Sequence, residues 1–282
     1  MNNLHRELAP ITAAAWAEIE QEARRTFERR IAGRRVVDVP EPKGPAFSAV
    51  GTGHLAELAS PVDGVQARQR QVRPVIELRA TFTVSRDAVD DVERGSTDSD
   101  WQPVKDAAEL MASAENRTVF YGAESAGITG IVPSSSNTAV TLPQDVREYP
   151  AAVAQALNAL RLAGVDGPYN LLLSPTLYTA VAETSDHGYP VRDHLARIVG
   201  DGDIIWAPGL DGGLVVTERG GDFELLLGQD LSIGYLSHDA DTIDLYLQES
   251  LTFRVNTDEA SVVISEASSS GRQRSSSRSR SR

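Results

Sequence analysis

The chain contains no cysteine, which excludes a disulfide framework and thiolate metal sites. No apolar run reaches the ~18–20 residues of a membrane span. The start, "MNNLHRELAPITAAAW", lacks the charged beginning and apolar stretch of a secretory signal, so a soluble cytoplasmic protein without membrane contact is expected. No internal repeat of solenoid length recurs. There is no G-x-S-x-G elbow and no phosphate-binding G-x-x-x-x-G-K-[ST] loop. Gly51-Thr52-Gly53 begins like a dinucleotide fingerprint, but Ala56 stands where the third glycine is needed and no helical pattern follows. Basic residues are outnumbered: the net charge is −13. Residues 271–282 hold five Arg and no acid, which leaves −18 on residues 1–270. A body that acidic repels nucleic acid over most of its surface.

What is present is a chain of 282 residues, 41% hydrophobic, long enough for one elaborate domain or two ordinary ones. Thr12 is positioned to cap a helix running to about Ala32, with Trp16, Ile19, Ala23, Phe27 and Ile31 forming one apolar stripe. Gly33 is expected to end it in a left-handed conformation, and "RRVVDVPEP" reads as a short strand stopped by Pro40. Residues 44–80 alternate in polarity around Pro61-Val62-Asp63-Gly64, the pattern of a long hairpin, yet hold few large core residues. Such a hairpin has no core of its own and must lie on something else, such as a neighbouring subunit.

Ser85 opens a short helix ending near Gly95. Asp100 opens a longer one, with Pro103 in its first turn and Val104, Ala107, Leu110 or Met111, Ala114 and Val119 along one side. From residue 136 helices and strands alternate in an α/β unit, with Ser174-Pro175 marking a helix start. The chain closes on strands, "FELLLG", "DLSIGYL", "TIDLYLQESLTFRV" and "ASVVIS". The composite is an α+β protein.

Candidate chemistry is thin. Of His5, His54, His187, His194 and His238, only Asp186-His187 and Asp193-His194 come close together, and their spacing matches no zinc motif. Acid pairs such as Asp90-Asp91 read as solvated faces, and Asn116-Arg117-Thr118 fits a glycosylation pattern inside a helix. No catalytic or metal-ligating set emerges.

Several segments together carry a resemblance: "LHRELAPITAAAWAEIEQEARRTF", "GRRVVDV", "IELRATFTVSRDAVDDVERG", "GVDGPYNLLLSPTLYTAV", "DHGYP", and "ERGGDFELLLGQDLSIGY" through "LYLQESLTFRV". In order, from residue 1 to about 265, they resemble encapsulin shell proteins of the actinobacterial, linocin-like kind. The resemblance implies an α+β fold of the tailed-bacteriophage major-capsid type. Residues 1–45 then hold the N-terminal helix and the start of a peripheral domain, and 46–80 an extended loop. Residues 81–135 bring the peripheral domain with its spine helix, 136–223 an axial domain, and 224–265 further peripheral strands.

It also implies a closed icosahedral shell of about sixty copies, enclosing peroxidase or ferritin-like cargo that docks through C-terminal peptides. By that similarity the dock comprises Phe27, Ile31, Arg34, Val36, Val37 and Asp38 with Leu231, Ile233 and Tyr235. Apolar pockets would take the peptide's Leu and Ile side chains, and Arg34 and Asp38 would fix its direction. The loop Ser185, Asp186, His187, Gly188 and Tyr189 falls at the five-fold pore. Some relatives hold a flavin against a tryptophan where Asp87 stands here, so no flavin, and no other cofactor, is expected. The alternatives are a bacteriocin- or protease-type enzyme, which no motif supports, and a viral capsid protein of the same fold.

Residues 266–282 lie beyond the family's pattern, and their composition predicts a disordered, appended Arg/Ser tail. Arg272, Arg274, Arg278, Arg280 and Arg282 would contact nucleic acid through phosphates, and Ser275, Ser276, Ser277, Ser279 and Ser281 would serve a serine kinase.

Overall fold

The computed structural model describes residues 3–266; the Arg/Ser segment and its expected contacts lie outside the described residues. Thr12 Oγ1 accepts the Ala15 N–H at 3.2 Å and so caps α1 (Ala13–Arg30). The expected stripe is real: Ile19, Ala23 and Phe27 are buried, with Trp16 and Ile31 at its margins.

The end of α1 differs from expectation. Helical bonding stops at Ile31, and Gly33 opens a 3-10 turn (Gly33–Arg35) without a left-handed φ. A Cβ at Gly33 would lie 3.1 Å from the Val119 side chain, so crowding explains the glycine. The strand expected over "RRVVDVPEP" is this turn followed by one bridge between Asp38 and Glu224.

β1 (Ala49–Leu58) and β2 (Ala67–Pro74) form the antiparallel hairpin, with an irregularity between Gly51 and Leu55. Leu55, Leu58, Val62, Val65 and Val72 are each at least half exposed. The hairpin ends sooner than residue 80, because β3 (Ile76–Ser85) already belongs to a sheet. Ser85 Oγ accepts the Ala88 N–H at 3.1 Å and starts α2 (Arg86–Glu93). Asp100 Oδ1 accepts from Gln102 N at 3.0 Å at the start of α3 (Gln102–Tyr121). Met111 is the residue that faces inward; Leu110 is 64% exposed. A short hairpin of β4 (Gly122–Ala123) and β5 (Ile128–Thr129), then α4 (Ile131–Ser134), leads away.

The alternating unit follows: β6 (Val140–Thr141), α5 (Tyr149–Leu162), β7 (Tyr169–Leu173), α6 (Pro175–Glu183), β8 (Ser185–Asp186), β9 (Tyr189–Pro190), α7 (Val191–Val199), β10 (Ile204–Trp206) and β11 (Gly213–Thr217). Ser174 caps α6 through the Leu177 N–H. The last strands are β12 (Phe223–Leu227), β13 (Ser232–His238), β14 (Thr242–Val255) and β15 (Ser261–Ser265).

These strands divide between two sheets. β14 is the axis of the first: β3 runs along one edge, while β13 and β12 share the other. α1 and α3 cover this sheet and enclose Ile19, Phe27, Met111, Leu245 and Leu247. The second sheet has the order β10-β7-β11-β15-β6, packed by α5, α6 and α7. β15 is the surprise. Expected among the peripheral strands of residues 224–265, it crosses back and pairs with β11, because Val262 and Ile264 complete the core under α5. A third cluster around Phe120, Leu214, Leu225 and Phe253 fuses the two layers.

Candidate functional site

Sequence spacing places Glu20, Arg24, Phe27, Glu28 and Ile31 on neighbouring turns of one α1 face. That face looks across to the start of β13. Between them lies a groove of about 530 Å³ whose walls include Leu4, Phe27, Ile31, Arg34, Leu231 and Ile233. Phe27 and Ile233 are buried and make the floor; Ile31 and Leu231 are partly exposed and offer the accessible apolar surface. Arg6, Arg24, Glu20 and Glu28 supply charge at the rim.

The wall around Ile31 is held by a buried amide. Asn116 Oδ1 accepts the N–H groups of Ala32 and Gly33, both at 2.9 Å. Its Nδ2 donates to Arg30 O and Pro208 O at 2.9 and 3.0 Å. Asn116 is fully buried and fully satisfied, so its place in a glycosylation pattern has no surface meaning.

Arg34 follows directly. Its Nε and Nη2 grip both oxygens of buried Glu115 at 2.6–3.0 Å, and Nη2 also reaches Asp230 at 2.8 Å and Glu249 at 3.4 Å. The guanidinium lies 5.1 Å from the Phe27 ring centroid. Burial alone would lower its pKa; the Glu115 contact, then Asp230, outweigh this and hold it above the usual value. Arg34 is therefore already tied down by protein carboxylates, with a fifth of its side chain showing in the groove wall.

The nine residues expected in one dock do not sit together. Phe27, Ile31, Arg34, Leu231 and Ile233 line the groove. Tyr235 packs beside the same core, and its hydroxyl meets His238 Nδ1 at 2.6 Å. Val36, Val37 and Asp38 instead border a second, smaller cleft with Thr217, Gly220, Asp222 and Phe223. The 3-10 turn swings the chain away after Arg34, which is why they separate. Val36 is buried in the central cluster. Asp38 braces a loop: its N–H donates to Phe223 O, its carbonyl accepts Leu225 N–H, and its carboxylate accepts Gly221 N–H at 2.6 Å. Beside it, Arg219 chelates Asp222, and this hydrogen bonding overcomes burial to keep that carboxyl below its usual range.

Groove residues that sequence reasoning missed are Leu4, Arg6, Glu20, Ala23, Arg24 and Glu28, together with Asp230, Ser232 and Leu247, and Asn116, Glu115 and Glu249 stand behind them. Those on α1 were within reach by stepping the stripe back from Ile31. Leu4 carried no such signal, since only tertiary bonding brings its carbonyl to Tyr235 N–H at 2.9 Å.

The expected pore loop is a two-residue hairpin joining β8 to β9. His187 and Gly188 take φ of 47° and 84°, both positive as such turns require. The His187 side chain is 98% exposed, 3.7 Å from Asp186. Tyr189 is held back by His194 and Arg197, at 4.7 and 4.8 Å between centroid and partner. His194 thus packs at a tilt against Tyr189 instead of pairing with His187. Asp87 lies exposed in the first turn of α2. Among the described residues, no three His, Asp or Glu side chains gather as metal ligands, and no helix is long and apolar enough to cross a membrane.

A hairpin without a core, a spine helix across a β-layer and an α/β unit define a capsid-type fold. Solved structures agree on the fold. A virus-like particle from Pyrococcus furiosus matches with TM-score 0.61 at 18% identity, over 88% of this chain and 98% of that one. A chain of Mycobacterium phage Bobi matches with TM-score 0.58 at 16% identity, over 85% and 91%.

The family model described as "Encapsulating protein for peroxidase" matches residues 1–252. Type 1 encapsulin shell proteins of Mycobacterium tuberculosis and Brevibacterium linens are each 62% identical over 265 residues, covering 94% of this chain and all of theirs. The chain belongs to the encapsulin shell-protein family.

Proposed function

We propose that this chain closes into an icosahedral shell of about sixty copies and captures cargo by binding its C-terminal peptide in the groove between α1 and β13. The observation that carries this reading is the groove itself. Ile31 and Leu231 present accessible apolar surface over a buried floor, and fixed charges at the rim can orient a peptide. Cargo of the peroxidase type is supported by the family description and by relatives named as shell proteins. The exposed apolar residues of the β1–β2 hairpin support assembly, because they need cover that one subunit does not supply. His187, exposed on the β8–β9 turn, and Asp186 beside it would line a pore for small substrates. The role is that of a compartment wall in the cytoplasm; the chemistry belongs to the cargo.

The test is binding of a synthetic C-terminal peptide of an actinobacterial dye-decolorising peroxidase to assembled particles. Ile31→Asp and Leu231→Asp particles should lose binding, while Val37→Asp particles, altered in the other cleft, should retain it. Undiminished binding by assembled Ile31→Asp particles would place the dock elsewhere.

A further inference from the structure

Behind the groove wall, one cation faces three acids. Arg34 comes from the turn after α1, Glu115 from α3, Glu249 from β14, and Asp230 from the loop before β13. Glu115 and Glu249 are both fully buried; Asp230 is about half exposed, so water shares its charge. The other neighbours add no cation. Across the ladder Glu249 faces Leu78 of β3, and Arg79 is engaged by Gln248 and Tyr246 on the other face. α1 contributes the Phe27 ring, with Arg24 and Glu28 out at the groove mouth.

One guanidinium cannot neutralise two buried carboxylates. Arg34 spends its close contacts on Glu115 and Asp230 and reaches Glu249 only at 3.4 Å. Glu249 Oε1 has no donor facing it at all. A buried carboxylate oxygen left so is costly, whereas a carboxylic acid can turn its O–H to the adjacent Glu115. We propose that Glu249 keeps a proton beneath Arg34, directed at the Glu115 carboxylate, and that the pair act as positioning residues for the groove, so that the groove is firm while the proton is bound and loosens as the pH rises.

The direction is consistent with burial first, and then the charge of Glu115, holding the Glu249 carboxyl well above its usual range. The folded protein binds this proton more tightly than the unfolded chain, whose glutamates titrate near 4.5. The stabilisation is complete below that value and is lost as pH climbs toward the folded one. The consequence for peptide capture rests on the docking reading above; the Glu249 proton does not.

Hydrogen exchange of the assembled protein, corrected for intrinsic rates, separates the two. Protection of residues 31–34 and 230–233 should fall with rising pH, by up to about tenfold per unit. Glu249→Gln, which keeps the shape and donors of the protonated acid, should flatten that slope and raise protection at alkaline pH. Glu115→Gln, which leaves one buried carboxylate for one guanidinium, should flatten it too. Identical slopes in wild type and both variants would overturn the Glu249 proton, as would loss of protection at every pH in Glu249→Gln. In the second arm, the peroxidase C-terminal peptide should bind wild type less tightly as the pH rises across the range in which the exchange slope is seen, with that dependence gone in Glu249→Gln. Wild-type affinity that stays level across that range would sink the positioning role. Absence of binding throughout would remove the docking reading, and the exchange slopes would still decide the proton.

Discussion

The β1–β2 hairpin and the β3–β14 ladder are joined by a single residue, Val75, yet are stabilised in opposite ways. In the ladder, Phe82 and Val84 lie inside with Leu245 and Leu247, beneath α1 and α3. In the hairpin, Leu55, Leu58 and Val72 are about half exposed, and the strands hold by backbone pairing with each other. Isolated two-stranded hairpins are marginal in water. One stretch is therefore finished within the subunit, and the other leaves its apolar side chains uncovered there. A shell subunit has to contain both kinds, since a surface satisfied on its own has no reason to associate.

Substitutions can break this contrast, starting from the cored side. Phe253→Ala, beneath the junction of the two layers, should cost ~3–5 kcal/mol in denaturant unfolding, through lost burial and the cavity left behind. Asn116→Ala should cost ~3 kcal/mol, because the Ala32 and Gly33 N–H groups lose their acceptor inside the protein. It should also raise hydrogen exchange at those two amides selectively. Thr12→Ala removes only the cap of α1 and should cost ~1 kcal/mol, read from the same unfolding curve. The hairpin sharpens the comparison from the other side. Leu55→Ser with Val72→Ser should change unfolding of the unassembled chain by less than ~0.5 kcal/mol each. The same pair should sharply reduce the yield of complete particles in light scattering. Intact particles at normal yield would show that the hairpin does not need its apolar side chains covered.

Elements governed by neighbours a few residues away were readable in advance. The caps at Thr12, Ser85 and Ser174 each form the bond that their position predicts. The α1 stripe and the scarcity of core residues in the hairpin were equally plain. The groove was half readable: Phe27 and Ile31 follow from helical spacing, but the separation of Val36, Val37 and Asp38 does not. "RRVVDV" has the composition of a strand, and no local rule announces that Glu115 will seize Arg34 while Asn116 takes the two preceding amides. Leu110 and Met111 were indistinguishable until the helix had a partner to face.

The amino-acid order alone settled where helices begin, which faces are apolar, that no thiol chemistry operates, and which shell family the chain joins. Periodicity, capping and composition act over one or two turns of chain, so they survive without a fold. The tertiary structure decided the rest: the return of β15 to the second sheet, the delivery of Leu4 to the groove, and the meeting of Arg34, Glu115 and Glu249. Those groups lie 81 and 215 residues from Arg34 along the chain. Only the shared burial of two layers brings such distant charges together, and only burial makes the Glu249 proton matter.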